Sequence, residues 1–331
     1  MSKECKLIST LPNLNDKRSL EEMLSFDEIS EYRFNSGVNQ LMSTREIIES
    51  LKQIEEQTKK KIWIDLKGRQ LRVESWANPS YEAIELNHEI EIEYPARVIF
   101  RDGTTSEIIR CREDKILLSD SPYHALGKGQ SINIDAKSLE IKGYLTEQDK
   151  ELISMSKEYD LNDYMASFIE EMNDLIEIIK RNKKANIVAK IESIKGLKFI
   201  LENTLTIDTM SARDDLYTSI NHTYQTIRYL KKIIKKDPNA ICASRIFESL
   251  QRQQNISLSD FEDLELMYQF GYRTFMLQDD IKGEILKRTI KGWRKFIYGW
   301  KLYNIRFILW WWRKRKCSRL PSKHKKYIRK C

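Results

Sequence analysis

The stretch Val188-Ala189-Lys190-Ile191-Glu192-Ser193-Ile194-Lys195-Gly196 decides the reading of this chain. Apolar residues at 188, 189 and 191 surround a lysine and a glutamate two positions apart. Residues i and i+2 of a strand project to the same side, so Lys190 and Glu192 share one face while Ile191 turns away. Seven further short β-branched or apolar runs resemble it: Lys6–Leu11, Glu31–Phe34, Lys61–Asp65, Asp163–Phe168, Thr206–Ala212, Ala240–Ala243 and Arg273–Leu277. Longer helical patterns separate them, as parallel strands with crossover helices require. Eight such runs fit a closed α/β barrel, and 331 residues are ample for one large barrel with a small insertion.

Between the third and fourth runs the period changes. Ile84, Leu86, Ile90, Ile92 and Tyr94, then Ala96, Val98 and Phe100, alternate densely, and Arg101-Asp102-Gly103 is a turn signal. A small all-β insertion is expected there, either a lid over the barrel mouth or a decoration.

Five cysteines are scattered without a CxxC pair, and no secretory apolar region follows Met1. Reduced thiols in a cytoplasmic protein are the expectation. The four histidines lack zinc-ligand spacing, which leaves little for His-based metal or triad chemistry. The net charge of +8 conceals a separation. Residues 282–331 carry eighteen Lys and Arg against the single Glu284, whereas the remainder holds 39 basic and 48 acidic residues. A basic tail on an acidic body points to an anionic surface as the partner of the tail.

The motifs in order resemble the pyruvate kinase family. Lys6–Pro12 is similar to its first strand "KIVCTIGP", Arg33-Phe34-Asn35-Ser36-Gly37 to a shortened "RLNFSHG", and Ile64–Arg72 to "LDTKGPEIR". Leu145-Thr146-Glu147-Gln148-Asp149 resembles "LTEKD", Ala166-Ser167-Phe168 "LSFV", Lys190–Gly196 "SKIEN..G", Met210–Leu216 "MVARGDLG" and Ile241–Leu250 "ICATQMLESM". The resemblance runs collinearly over about residues 5–281. It implies a pyruvate-kinase-like (β/α)8 TIM barrel from residues 1–72 and 146–281, a β-rich lid over 73–145, and a basic amphipathic helical tail over 282–331.

It also implies chemistry. Lys190 matches the cation that stabilises a transferred phosphoryl group, and Glu192 with Asp215 match the ligands of Mg2+ or Mn2+, hard ions suited to oxygen donors. Ser244 stands where the family has a threonine implicated in protonating the enolate. Arg33 and Arg72 match arginines near nucleotide and phosphate, for which a guanidinium fork is suited. Asn35, Ser36 and Asp65 match monovalent-cation ligands, but Leu66 replaces the adjoining threonine and argues against a need for K+. Phosphoenolpyruvate, with ADP or another acceptor, is the implied substrate pair. Pyruvyl or enolpyruvyl transfer to a glycan precursor, and a non-catalytic barrel binding a phosphorylated ligand, are the competing readings. Asp214 replaces a glycine of the pattern and would bring a carboxylate beside the substrate anion; Arg245 replaces its glutamine. The resemblance ends near residue 281, so no counterpart of the family's regulatory C-terminal domain is expected in this sequence.

In the tail, Trp293, Phe296, Trp300, Tyr303, Phe307, Trp310 and Trp311 form a helical stripe, followed by Arg313-Lys314-Arg315-Lys316. Lys301 and Arg306 interrupt it, so a spanning helix is not expected. Peripheral attachment to the inner, anionic membrane face is the leading reading. A helix packing this stripe on the barrel, or binding single-stranded nucleic acid, would show the same spacing.

Overall fold

A computed structural model describes residues 4–37, 41–75, 82–100, 103–120, 127–136, 138–220, 224–279 and 281–299. The chain opens with β1 (Lys6–Thr10), α1 (Lys17–Leu24), β2 (Ile29–Asn35), α2 (Thr44–Thr58) and β3 (Ile62–Leu66). Seven short strands follow: β4 (Ile84–Glu85), β5 (Ile90–Glu91), β6 (Arg97–Phe100), β7 (Thr105–Arg112), β8 (Lys115–Leu118), β9 (Ile132–Asp135) and β10 (Glu140–Ile141). The βα alternation then resumes with α3 (Glu147–Glu158), β11 (Asp163–Ala166), α4 (Met172–Arg181), β12 (Asn186–Ile191), α5 (Ile194–Glu202) and β13 (Asp208–Ala212). It ends with α6 (Arg213–Ser219), α7 (Gln225–Lys236), β14 (Ile241–Ala243), α8 (Leu258–Phe270), β15 (Thr274–Met276) and a last helix, α9, over 283–299.

The eight expected runs all become strands of one closed barrel, in the order β1-β15-β14-β13-β12-β11-β3-β2, every pair parallel. Alternation divides their side chains between two apolar regions. Ile8, Trp63, Met165, Val188, Met210, Ile241, Ala243 and Met276 form a cluster of their own inside the barrel. Residues one position away, such as Leu7, Ile64 and Ala189, join the larger core beneath the helices. Capping places several helix starts: Ser43 with Glu46, Thr146 with Asp149, and Ser257 with Asp260 each form a capping box.

The insertion folds around a separate core that includes Leu71, Val73, Ile84, Val98, Ile108 and Ile132. It contains a five-stranded antiparallel sheet, β4-β8-β7-β6-β9, and the pair β10-β5. Its two connections to the barrel meet at Asp149. This buried carboxylate accepts the backbone N–H groups of Lys67 at 2.8 Å, Gly68 at 3.1 Å and Thr146 at 3.1 Å. Gly68 has φ +51°, and a Cβ there would lie 2.4 Å from the Ser167 carbonyl oxygen, so both backbone conformation and space require glycine.

One expectation is corrected. Trp293, placed by its spacing on a membrane-facing stripe, is only 3% exposed and lies in the barrel's main core with Leu286, Ile290 and Phe296. Its ring meets Phe275 of β15 edge-on at 5.6 Å, and Phe296 meets Tyr268 of α8 at 6.1 Å. On the outer side, Lys287 pairs with Glu22 at 2.7 Å and Arg294 with Glu28, so basic residues of this segment find partners on the acidic body. The expected start of the tail at residue 282 thus falls immediately before the helix that packs on the eighth strand. Trp300, Phe307, Trp311, Arg313 and Lys314 lie outside the described residues. Among the described residues, no helix is long and apolar enough to cross a membrane.

Trp293→Ala should destabilise the fold by about 3–5 kcal/mol, the usual range for emptying a large aromatic site in a core. Urea unfolding is the measurement. A change within about 0.5 kcal/mol, the level of an ordinary surface substitution, would contradict this packing.

Candidate active site

The barrel interior changes from apolar to polar two residues further along each of four strands. Ile8 is followed on its face by Thr10, Trp63 by Asp65, Met165 by Ser167, and Val188 by Lys190 and then Glu192. Because the strands are parallel, these polar groups gather at their carboxyl ends, where a barrel presents its loops.

An alternating chain of charge runs across this layer. Arg33 donates from Nε to Asp65 Oδ2 at 2.9 Å and also pairs through Nη2; Lys190 Nζ lies 3.2 Å from Asp65 Oδ1 and 3.1 Å from Glu192 Oε1. Lys190 donates to Ser167 Oγ at 2.8 Å, and the backbone N–H of Phe168 donates to Glu192 Oε2 at 2.7 Å. Ser36 Oγ donates to the Asp65 carbonyl at 2.5 Å. All four charged residues are buried.

Their proton affinities reflect the crowding. Burial alone would disfavour the Lys190 ammonium, but Asp65 and Glu192 more than offset it and hold the group above the usual lysine range. Burial likewise works against the Asp65 carboxylate; Arg33 and Lys190 prevail and keep it below its ordinary value. Glu192 goes the other way. Burial pushes it up to about 7, opposed by Lys190 and reinforced by nearby Asp215 and Asp65. Asp215, in the first turn of α6, is raised by burial and by Asp214, against the pull of Lys190.

The structure therefore brings Arg33, Asn35, Ser36, Asp65, Lys190, Glu192 and Asp215 to one end of the barrel. Arg72 stands at the margin, where the insertion meets the barrel. It donates to the Gly129 carbonyl at 2.6 Å, and a Cβ on Gly37 would lie 2.8 Å from its guanidinium. Ser244 follows β14 in a turn where Ser244, Arg245 and Phe247 all have positive φ, a costly backbone for such residues. Arg213 braces this turn by donating to the Ser244 carbonyl at 3.1 Å while pairing with Asp263 at 2.7 Å. Asp214 pairs with Arg245 at 2.7 Å, and the Arg245 guanidinium lies 4.5 Å from the centre of the Tyr217 ring. These two departures from the family pattern thus balance each other's charge.

Thr10, Ser167 and Asp279 also belong to the polar layer. The first two follow the same alternation as Lys190 and were accessible to that rule. Asp279 lies in a loop, where no periodicity applies.

The sequence matches the family described as pyruvate kinase, barrel domain, over residues 90–278, more than half of the chain. The chain belongs to the pyruvate kinase family. No curated protein matches it at a significant level. The matched span includes Lys190, Glu192, Asp215 and Ser244, while Arg33 and Asp65 join them through closure of the barrel by β2 and β3.

Whether these residues suit a pyruvate kinase metal is a question of donors. Among the described residues, no group of three His, Cys, Asp or Glu side chains forms a metal cage. Mg2+ does not require one: it is commonly held by one or two carboxylates, with water and substrate phosphate completing the shell. Glu192 and Asp215 fit that role, since each is raised by burial and by another nearby carboxylate, a crowding that a divalent cation relieves.

The raised Glu192 value sets a pH dependence for the metal-free protein. An acid whose folded value lies above its ordinary 4.5 stabilises the fold fully below 4.5, and loses that contribution as pH rises through about 7. Between about pH 5 and 8, wild type should lose on the order of 1–3 kcal/mol relative to Glu192→Gln. Added Mg2+ should restore stability at the higher pH in wild type and not in the variant. Urea unfolding across pH, with and without Mg2+, checks both; parallel curves would contradict the assignment.

Proposed function

We propose that this protein binds phosphoenolpyruvate with Mg2+ or Mn2+ and transfers its phosphoryl group to ADP or another acceptor. The observation that supports it best is the buried Lys190 ammonium held between Asp65 and Glu192, with Asp215 close by, at the end of a pyruvate kinase barrel where substrates bind. Phosphoryl transfer needs positioning and charge neutralisation more than covalent participation by the protein. A divalent ion on Glu192 and Asp215 would supply Lewis-acid stabilisation of phosphoryl oxygens.

Lys190 neutralises the phosphoryl group as it leaves. Because Asp65 and Ser167 already fix the ammonium, little reorganisation accompanies the reaction. Arg33 orients phosphate oxygens, and Arg72 approaches from the side of the insertion. Ser244, carried on its braced turn, delivers a proton to the methylene carbon of the enolate. Asn35, Ser36 and Asp65 lie together at this end of the barrel, where Leu66 in place of the family's threonine argues against a need for K+.

Two measurements follow. Lys190→Met should lower turnover roughly a hundredfold or more, the scale for a single electrostatic stabiliser, while binding of phosphoenolpyruvate changes less and remains Mg2+-dependent. Calorimetry and single-turnover assays with ADP and lipid-linked sugars test this. Pyruvate with a phosphorylated acceptor supports the proposal; inorganic phosphate with a pyruvylated acceptor supports pyruvyl transfer instead. Wild-type protein that binds neither Mg2+ nor phosphoenolpyruvate leaves a non-catalytic barrel.

The second concerns the tail. We propose that residues 300–331, with Trp300, Phe307, Trp311, Arg313 and Lys314, attach the protein to an anionic membrane surface, each cation near that surface contributing about 1 kcal/mol. Truncation after Gly299 spares the packed helix. It should abolish flotation with anionic liposomes; equal flotation of both proteins, or retention by RNA alone, would refute this attachment.

A further inference from the structure

Three donors at the barrel mouth converge on one carboxylate. Thr10 Oγ1 donates to Asp279 Oδ1 at 3.0 Å, Arg33 Nη1 donates to the same oxygen, and Asn35 Nδ2 donates to Oδ2 at 2.7 Å. The donors belong to β1 and β2, strands paired along the barrel wall. The acceptor comes from the loop after β15.

The two carboxylates that hold Arg33 differ in kind. The Asp65 side chain is 5% exposed and is also bound by Lys190, so removing it would strand two buried cations. The Asp279 side chain is 41% exposed. It exchanges its contacts for water at far smaller cost, as exposed ion pairs do. If it leaves, Arg33 keeps Asp65, while a guanidinium edge, an amide N–H and a hydroxyl remain aimed at one place. That donor set suits the oxygens of a phosphate group.

We propose that Asp279 is a resident stand-in for a phosphate ligand: its carboxylate fills an oxyanion site built by Thr10, Arg33 and Asn35, and a phosphate-bearing ligand binds there by displacing it. The inference deepens the proposed function, from which it takes the ligand class. It makes Asp279 a specificity-determining residue. Charge acts in the same direction. With Asp279 in place the Arg33 guanidinium is already paired by two carboxylates, Asp65 and Asp279, and the Asp279 charge repels an incoming phosphate. Only a ligand with enough further contacts displaces it.

The test titrates inorganic phosphate into the full chain by calorimetry, without Mg2+ or phosphoenolpyruvate. Asp279→Ala should bind phosphate at least tenfold more tightly than wild type, while Asp279→Glu remains as weak as wild type. Adding Asn35→Ala to Asp279→Ala should cancel the gain. Equal or weaker binding by folded Asp279→Ala overturns the inference, as does a gain that survives loss of Asn35. If the alanine variant does not fold, Asp279→Asn keeps the shape without the charge and should also bind more tightly than wild type; unchanged affinity there is equally decisive. Phosphate affinity is read independently of turnover. Failure of the Lys190 experiment therefore leaves this result intact, and unchanged phosphate affinity leaves the Lys190 experiment intact.

Discussion

The Asp65 carboxylate, buried between the Arg33 guanidinium and the Lys190 ammonium, joins β2, β3 and β12 through hydrogen-bonded ion pairs. β3 precedes the inserted domain and β12 follows it, so the bond unites two separated parts of the chain across the barrel. Buried ion pairs do not confer large net stability, because desolvation consumes most of the attraction; removing one partner nonetheless costs about 3–5 kcal/mol. What the arrangement secures is position. Lys190 has Asp65, Glu192 and Ser167 as neighbours, which gives its ammonium one well-defined location in a water-poor site.

The same logic explains how a site can diverge without disruption. Read alone, Asp214 introduces a charge where the family has none. Arg245, likewise a departure, lies 2.7 Å from it and stacks over Tyr217. The pair changes the surface beside α6 without adding net charge. It also places a side-chain ion pair where the family pattern has a glycine.

Much of this was legible from alternation. Each barrel strand carried apolar residues on both faces, and the polar layer announced itself through Lys190 and Glu192. The family motifs then located Arg33, Asp65 and Asp215, whose meeting no local pattern could reveal because three-dimensional closure creates it. The last helix was ambiguous for a different reason. An apolar stripe with basic flanks suits a membrane interface or a barrel surface equally well, and only the neighbours distinguish them. Phe275, Tyr268, Glu22 and Glu28 are those neighbours, and the two glutamates lie at the other end of the sequence. No periodicity revealed the role of Asp279, since that role depends on donors from β1 and β2.

Asp149 ties the first residues leaving β3 to the first residues returning toward α3. Seen from the barrel, the whole excursion between them behaves like a pouch drawn shut at the neck. Pairing of β3 with β11 in the barrel wall holds its ends together, Asp149 fixes the neck, and the entropy of closing the loop grows only slowly with the length enclosed. Insertions, deletions or an entirely different module could occupy that position without altering the spacing of β3 and β11. The barrel is thus a chassis with a defined socket, in which the inserted domain and the polar layer of the barrel are free to evolve on separate schedules.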